Sequence, residues 1–256
     1  MKVVTLVENT ACQPEFGCEH GLSLYIETAD HKILFDAGQT GLFADNAQRL
    51  GIDLGQVDIA VLSHGHFDHG GGLHRFLELN KTAPVYLRKG AFLSHGNAQN
   101  MDIGLDPALQ GSDRLVFTED ELELAPGIRL CSCNREPRPY GTDSAGITED
   151  GKPDLFNHEQ YLLIEEAGKR ICFSGCSHKG ILNIMQWFRP DVLFGGFHFM
   201  RMELEDPRLA AAAETLMGYP TTYYTGHCTG QTQYDFLKSR MGDKLHPLPT
   251  GTRIEL

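Results

Sequence analysis

The spacing of apolar positions along this chain switches repeatedly between two periods. Short apolar runs bounded by polar or turn-forming residues predict strands over 2 to 8, 22 to 28 and 32 to 36, the last two joined by a turn at Ala29-Asp30. Helical spacing follows from about Gly41 to Leu50. The run Asp58-Ile59-Ala60-Val61-Leu62 then reads as a buried strand, residues 72 to 80 as a helix, Pro84 to Arg88 as a strand and Gly90 to about His95 as a short helix. An irregular polar stretch continues to Asp113. The second half repeats this order, with strand 160 to 166, a turn at Ala167-Gly168, strand 169 to 174, a turn at Gly175, helix 178 to 188 and strand 191 to 195 leading to His198. A helix from about Asp206 to Met217, a strand Thr221 to Thr225, a helix Gln231 to Arg240 and a last strand near the C-terminus complete the pattern. Laying Lys32–Asp36 over Arg170–Ser174 brings the Ser63-His64 strand end roughly onto Phe197-His198. The halves therefore read as variations on one unit, with a cleft between them.

One stretch interrupts the periodicity. Between Ser63 and Gly72 the chain places His64, His66, Asp68 and His69 within six positions and then runs into three glycines. The preceding strand delivers these side chains at its carboxyl end, and Gly65 and Gly70 to Gly72 permit the sharp turns that let them converge. Imidazole nitrogen and carboxylate oxygen suit zinc, iron or manganese. His74, just downstream, has no such context.

Composition narrows the setting. A chain of 256 residues with 41% apolar content can bury one large core, and nothing in it resembles a linker, so a single domain spanning 1–256 is expected. The N-terminal apolar run is too short for a signal peptide, and no apolar run approaches bilayer length, which points to a cytoplasmic protein without a membrane partner. Seven cysteines, an odd number without a regular framework, argue for reduced thiols, Cys12, Cys18, Cys131 and Cys133 included. A formal net charge of −12 repels a phosphate backbone and argues against nucleic acid as a partner.

His64-x-His66-x-Asp68-His69 resembles the signature of the metallo-β-lactamase-fold hydrolase superfamily, and the similarity runs over nearly the whole chain. Glu19-His20-Gly21-Leu22-Ser23, Ile33 to Gln39, Ser174-Gly175-Cys176-Ser177-His178, Gly195-Gly196-Phe197-His198 and Thr225 to Gly230 resemble its dihydropterin synthase-like branch. The resemblance implies an α+β fold, an αββα four-layer sandwich of two facing sheets with helices outside and a metal site at one edge. It also implies two divalent metal ions, zinc foremost, with manganese or iron as alternatives, held by His64, His66, Asp68, His69, Cys176, His178 and His227. His227 follows a short strand between glycines and matches the superfamily's last ligand, which assigns it to the second metal. Cys176 stands where most members carry a bridging Asp, and a thiolate there would be a soft, charged ligand. His158 lies where the family's third histidine usually falls, in a polar loop, and competes with His178, which the branch resemblance favours. Asp36 is expected to orient the histidines by hydrogen bonds without binding metal. His198 could add a ligand or hold an anionic substrate group.

Two adjacent metals imply a bridging hydroxide as nucleophile, with Asp68 orienting it or accepting its proton. The expected activity is hydrolysis of a small ester, lactone or phosphoester, and the branch resemblance points to an anionic, phosphorylated pterin-related substrate with Arg135, Arg138, Lys179 and Arg201 as candidate anion contacts. An iron-dependent redox enzyme and a non-catalytic metal-containing ligand sensor are the alternatives on this scaffold. Substrate choice would lie in loops 95 to 113 and 134 to 158, which carry no readable motif.

Overall fold

A strand whose side chains are all buried has to be covered on both faces. Ile59–Val61 and Val192–Phe194 are of this kind, and each lies inside one of two seven-stranded sheets in the computed structural model, which describes residues 1–142 and 145–256. The first sheet runs, edge to edge, Arg253–Glu255, Lys2–Val7, Ser23–Glu27, Lys32–Phe35, Ile59–Val61, Val85–Arg88 and Leu115–Thr118. The second runs Glu121–Ala125, Ile128–Cys131, Tyr161–Glu166, Lys169–Phe173, Val192–Phe194, Thr222–Thr225 and Leu245–Pro247. In this order both sheets have the same pairing, antiparallel up to the fourth strand and parallel beyond it. The internal repeat is thus a property of the sheets. Its strict register, with Phe35 beside Val61 and Phe173 beside Phe194, sets His64 against Phe197, one residue before His198.

The sheets face each other across a core that includes Leu24, Ile26, Ile33, Phe35, Val61, Leu162, Ile171, Phe173 and Phe194. Phe173 stacks on Phe194, which stacks on Tyr224, and Phe35 reaches Phe173 across the sheets. Helices Leu42–Arg49 and Leu73–Leu79 cover the outer face of the first sheet, while Ile181–Phe188, Pro207–Met217 and Gln231–Met241 cover the second. The result is the αββα sandwich.

Three differences from the sequence reading bear on the site. The apolar pattern marks no element over residues 114 to 133, yet they form three strands, of which Leu115–Thr118 closes the first sheet while Glu121–Ala125 and Ile128–Cys131 open the second. The C-terminal region holds two strands, and Arg253–Glu255 crosses back to pair with the N-terminal strand. Loops 95 to 113 and 134 to 158 join in a small sheet of His95–Gly96, Thr148–Glu149 and Lys152–Pro153; Asp143 and Ser144 lie outside the described residues. All seven cysteines are unpaired, and among the described residues no helix is long and apolar enough to cross a membrane.

Candidate metal centre

Strand ends from both sheets supply the side chains. His64 and His66 lie on the loop leaving Ile59–Val61, and Asp68 and His69 lie in the one-turn helix Phe67–Gly70 that follows. Cys176 and His178 follow Lys169–Phe173, His198 follows Val192–Phe194 and His227 follows Thr222–Thr225. His64, Cys176 and His178 form one buried donor group, His69, Cys176 and His227 another, and Cys176 belongs to both. Asp68 joins His64 and His69 in a third group and His20 and His227 in a fourth. His66 sits beside His64 and His178, with ring centroids at 4.6 and 4.9 Å, but its donor group is with His95, Asp154 and His158. The His198 ring lies 4.4 Å from that of His178, tilted against it, and is not part of these groups.

Hydrogen bonds fix which nitrogen of each ring faces inward. Buried Asp36 accepts from His69 Nδ1 at 2.7 Å and from the Ser63 hydroxyl at 2.7 Å, and the Ser63 oxygen in turn takes His64 Nδ1–H at 2.8 Å. The Asn9 side-chain oxygen accepts His227 Nδ1–H at 3.0 Å. With the Nδ1 protons committed outward, the Nε2 lone pairs of His64, His69 and His227 turn toward the centre. His69 Nε2 lies 3.2 Å from His227 Nε2 and 3.1 Å from Cys176 Sγ, and His64 Nε2 lies 3.2 Å from His178 Nε2.

Buried carboxylates hold the turns that carry these rings. Asp36 also accepts Ser63 N–H at 2.7 Å, Glu159 accepts the N–H groups of His178 at 2.7 Å and Lys179 at 3.0 Å, and Glu8 accepts His227 N–H at 2.5 Å. Asp36, His198 and His227 all take positive φ, a local strain that the surrounding hydrogen bonds sustain. The ring of Phe156 lies 4.4 Å from that of His178 and nearly parallel to it, fixing its plane.

Facing lone pairs in a buried space repel unless a cation lies between them, and this is the observation that tests whether the residues suit a metal. Burial pushes the imidazoles of His64, His66 and His178 well below the ordinary range and that of His227 down to about 4, so each ring is neutral at physiological pH and has a lone pair to offer. His66 Nε2 and His178 Nδ1 are buried without a hydrogen-bond partner. Burial opposes the Asp68 charge, yet His69, His20 and His227 outweigh it and hold the carboxyl well below the usual range. His69 shifts the other way: burial opposes its charged form, but Asp36 and Asp68 together outweigh that and raise its proton affinity above the ordinary imidazole value. The donor set fits divalent metal.

Several sequence expectations change here. Lys179, expected near a substrate anion, is fully buried and donates to the carbonyls of Ser132 at 2.5 Å and Glu159 at 2.9 Å; burial brings its ammonium down to about 7. His158, expected in a polar loop, is also fully buried. Arg135 pairs with Asp120 on the surface, Arg138 bonds the Leu155 carbonyl, and Arg201 is exposed. Glu8, Asn9, His20, His95, Asp154, Phe156 and Glu159 were not read as site residues. Only His20 had a visible signal, in the Glu19-His20-Gly21 stretch; it lies 3.4 Å from Asp68, half exposed at the mouth.

Known proteins agree with this architecture. The family model described as the metallo-beta-lactamase superfamily matches residues 16–213. A Methanocaldococcus jannaschii protein named uncharacterized protein MJ0448 is 31% identical over 237 residues, covering 88% of this chain and 89% of its own. The same organism's 7,8-dihydropterin-6-methyl-4-(beta-D-ribofuranosyl)-aminobenzene-5'-phosphate synthase is 29% identical over 298 residues, covering 100% of this chain and 96% of its own. Among solved structures, Tm1679, described as a metal-dependent hydrolase of the beta-lactamase superfamily, superposes with a TM-score of 0.82 at 27% identity, covering 100% of this chain and 99% of its own. With a family model spanning most of its length and relatives matching nearly end to end, this chain belongs to the metallo-β-lactamase superfamily.

Proposed function

We propose that the protein is a hydrolase working with two divalent metal ions. The observation that carries this reading is the pair of donor groups that meet at Cys176, each built from inward-facing imidazoles. His64, His66, His178 and Cys176 would hold one metal, and Asp68, His69, His227 and Cys176 the other. Such a pair supplies Lewis acidity and a water activated near neutral pH. Asp36 keeps His69 in the tautomer that leaves Nε2 free, directly, and His64 likewise through Ser63. Asp68, ionised at neutral pH, is the group placed to accept a proton from an attacking water, and the His20 ring, 3.4 Å away, links its carboxylate to the mouth. His198, in contact with the His178 ring, is assigned to the substrate side.

The likeness to Tm1679 supports metal-dependent hydrolysis. The likeness to a synthase whose named product carries a pterin and a phosphate bears on substrate chemistry, and we carry over a small, anionic, phosphate-bearing substrate. Zinc is the first choice for this set of nitrogen, sulfur and oxygen donors. Iron is the second reading, favoured by the thiol at the shared position, and it would bring redox chemistry. The test is turnover by protein reconstituted with zinc, manganese or iron on a panel of phosphomonoesters, phosphodiesters, lactones and carboxylic esters. Hydrolysis with zinc or manganese that disappears in Asp68→Asn supports the proposal. Activity confined to iron with oxygen uptake, or no turnover by fully loaded protein, refutes it.

A further inference from the structure

Next to the centre lies a second collection of metal-type donors. His66, His95, Asp154 and His158 are all buried, with one donor atom of each within 4.8 Å of the others. The chemical composition is that of a metal site, and His158 occupies the place of the family's usual third histidine. The hydrogen bonds give it a different role.

Gly65, between His64 and His66, donates its backbone N–H to His158 Nδ1 at 2.9 Å. A backbone N–H can only donate, so Nδ1 of that ring is the acceptor and the proton of the neutral imidazole is on Nε2. That proton faces Asp154 Oδ2 at 3.1 Å. Both nitrogens of His158 are therefore committed, and neither has a lone pair left for a metal. Asp154 is braced in turn by His95, whose Nδ1 lies 3.3 Å from the same oxygen and whose Nε2 lies 3.2 Å from the Gly90 carbonyl. Its other oxygen accepts Phe156 N–H at 2.6 Å, and Phe156 is the ring that stacks on His178.

We propose that His158 is a positioning residue and not a metal ligand: clamped by Asp154, it holds the backbone between His64 and His66, while Asp154 also sets, through Phe156, the plane of His178. One buried carboxylate, directly after the last strand of the small sheet that joins the two loops without motifs, would thus align all three imidazoles of a single metal position. This rests on the metal reading above and adds that the imidazole ligands of that position are His64, His66 and His178, beside Cys176, with His158 outside the set.

The test uses full-length protein loaded with cobalt(II), whose visible absorption reports the number and kind of ligands, in wild type, His158→Asn, His158→Gln, Asp154→Asn and His178→Ala. Asn places its oxygen near the position of Nδ1 and can still receive Gly65 N–H; Gln reaches toward Nε2 and leaves that donor unpaired. The expected result is an unchanged cobalt spectrum and stoichiometry in all three variants at 158 and 154. Transfer of metal to a chelator should be about 10- to 100-fold faster in His158→Gln and Asp154→Asn, the range for lost outer hydrogen bonds, and clearly slower in His158→Asn than in His158→Gln, since Asn keeps the Gly65 contact and loses only the one to Asp154. His178→Ala should change the spectrum. Loss of a nitrogen ligand in both variants at 158 overturns the proposal, as does equally fast metal loss from Asn and Gln. Wild type that takes up no cobalt instead refutes the metal reading itself, and the two failures are distinguishable.

Discussion

Asp36→Asn is the sharpest single probe of how the centre is organised. The carboxylate is buried and accepts three hydrogen bonds of 2.7 Å, from Ser63 N–H, Ser63 Oγ–H and His69 Nδ1–H. An amide of the same shape keeps one oxygen and replaces the other with a donor. If its oxygen stays with Ser63 N–H, its NH2 meets the two remaining donors. His69 can then restore the contact only by moving its proton to Nε2, the atom that faces Cys176 and His227. Hydrogen bonds to charged groups contribute about 1.5–3 kcal/mol each, so metal-free Asp36→Asn should unfold with a free energy lower by about 2–4 kcal/mol once partial rearrangement is allowed. Losing an outer partner typically weakens metal binding about 10- to 100-fold, which is about 1.4–2.8 kcal/mol. Competition against a chromogenic chelator measures the affinity, and urea unfolding of the metal-free form measures the stability separately. Wild-type affinity in folded Asp36→Asn would refute the claim that this carboxylate sets the tautomer of the inward-facing rings.

Other outcomes follow from burial and packing. His64, His66, His158, His178 and His227 all have proton affinities lowered by burial, His158 and His227 to about 4. Below the unfolded histidine value of about 6.5 the unfolded chain binds protons that these folded rings refuse, so stability should fall by up to about 1.4 kcal/mol per pH unit for each ring until its folded value is reached. Asp68 adds the carboxylate case, with stability present above about 3.9 and lost as pH falls toward its depressed folded value. His69 acts in the opposite sense, its raised value contributing stability that is lost as pH rises through it. Denaturation midpoints of metal-free protein should therefore drop steeply between pH about 6.5 and 4; a flat profile would contradict the neutral, buried rings. Gly65→Ala would put a methyl group against the Ala91 backbone, 2.6 Å from its Cα, and should cost about 1–3 kcal/mol and loosen metal, as read from urea unfolding and chelator transfer. A substitution without effect there would show that the Gly65 segment is not tightly packed.

Much of the centre was legible because its chemistry is local in sequence. His64, His66, Asp68 and His69 come from one strand end, and the glycines around them mark the turn; His227 and Cys176 stand at other strand ends beside glycines. The supporting groups were not legible because they act from far along the chain, through backbone N–H groups that no side-chain pattern advertises. Glu8 holds His227 from 219 residues away, and His158 reaches Gly65 from 93 residues away. An ammonium three residues after Cys176 reads as an anion contact in the sequence, whereas Lys179 is fully buried. The strands Glu121–Ala125 and Ile128–Cys131 escaped because the first is an edge whose glutamates 121 and 123 are exposed, leaving little apolar signal.

The central claim is that two metal positions share Cys176. Elemental analysis of metal bound per chain in wild type, Cys176→Ala, His178→Ala and His227→Ala tests it most directly. The account predicts two equivalents in wild type, one lost in His178→Ala, the other lost in His227→Ala, and both weakened in Cys176→Ala. Two tightly held equivalents in Cys176→Ala, or a single equivalent in wild type unaffected by either histidine, would contradict it.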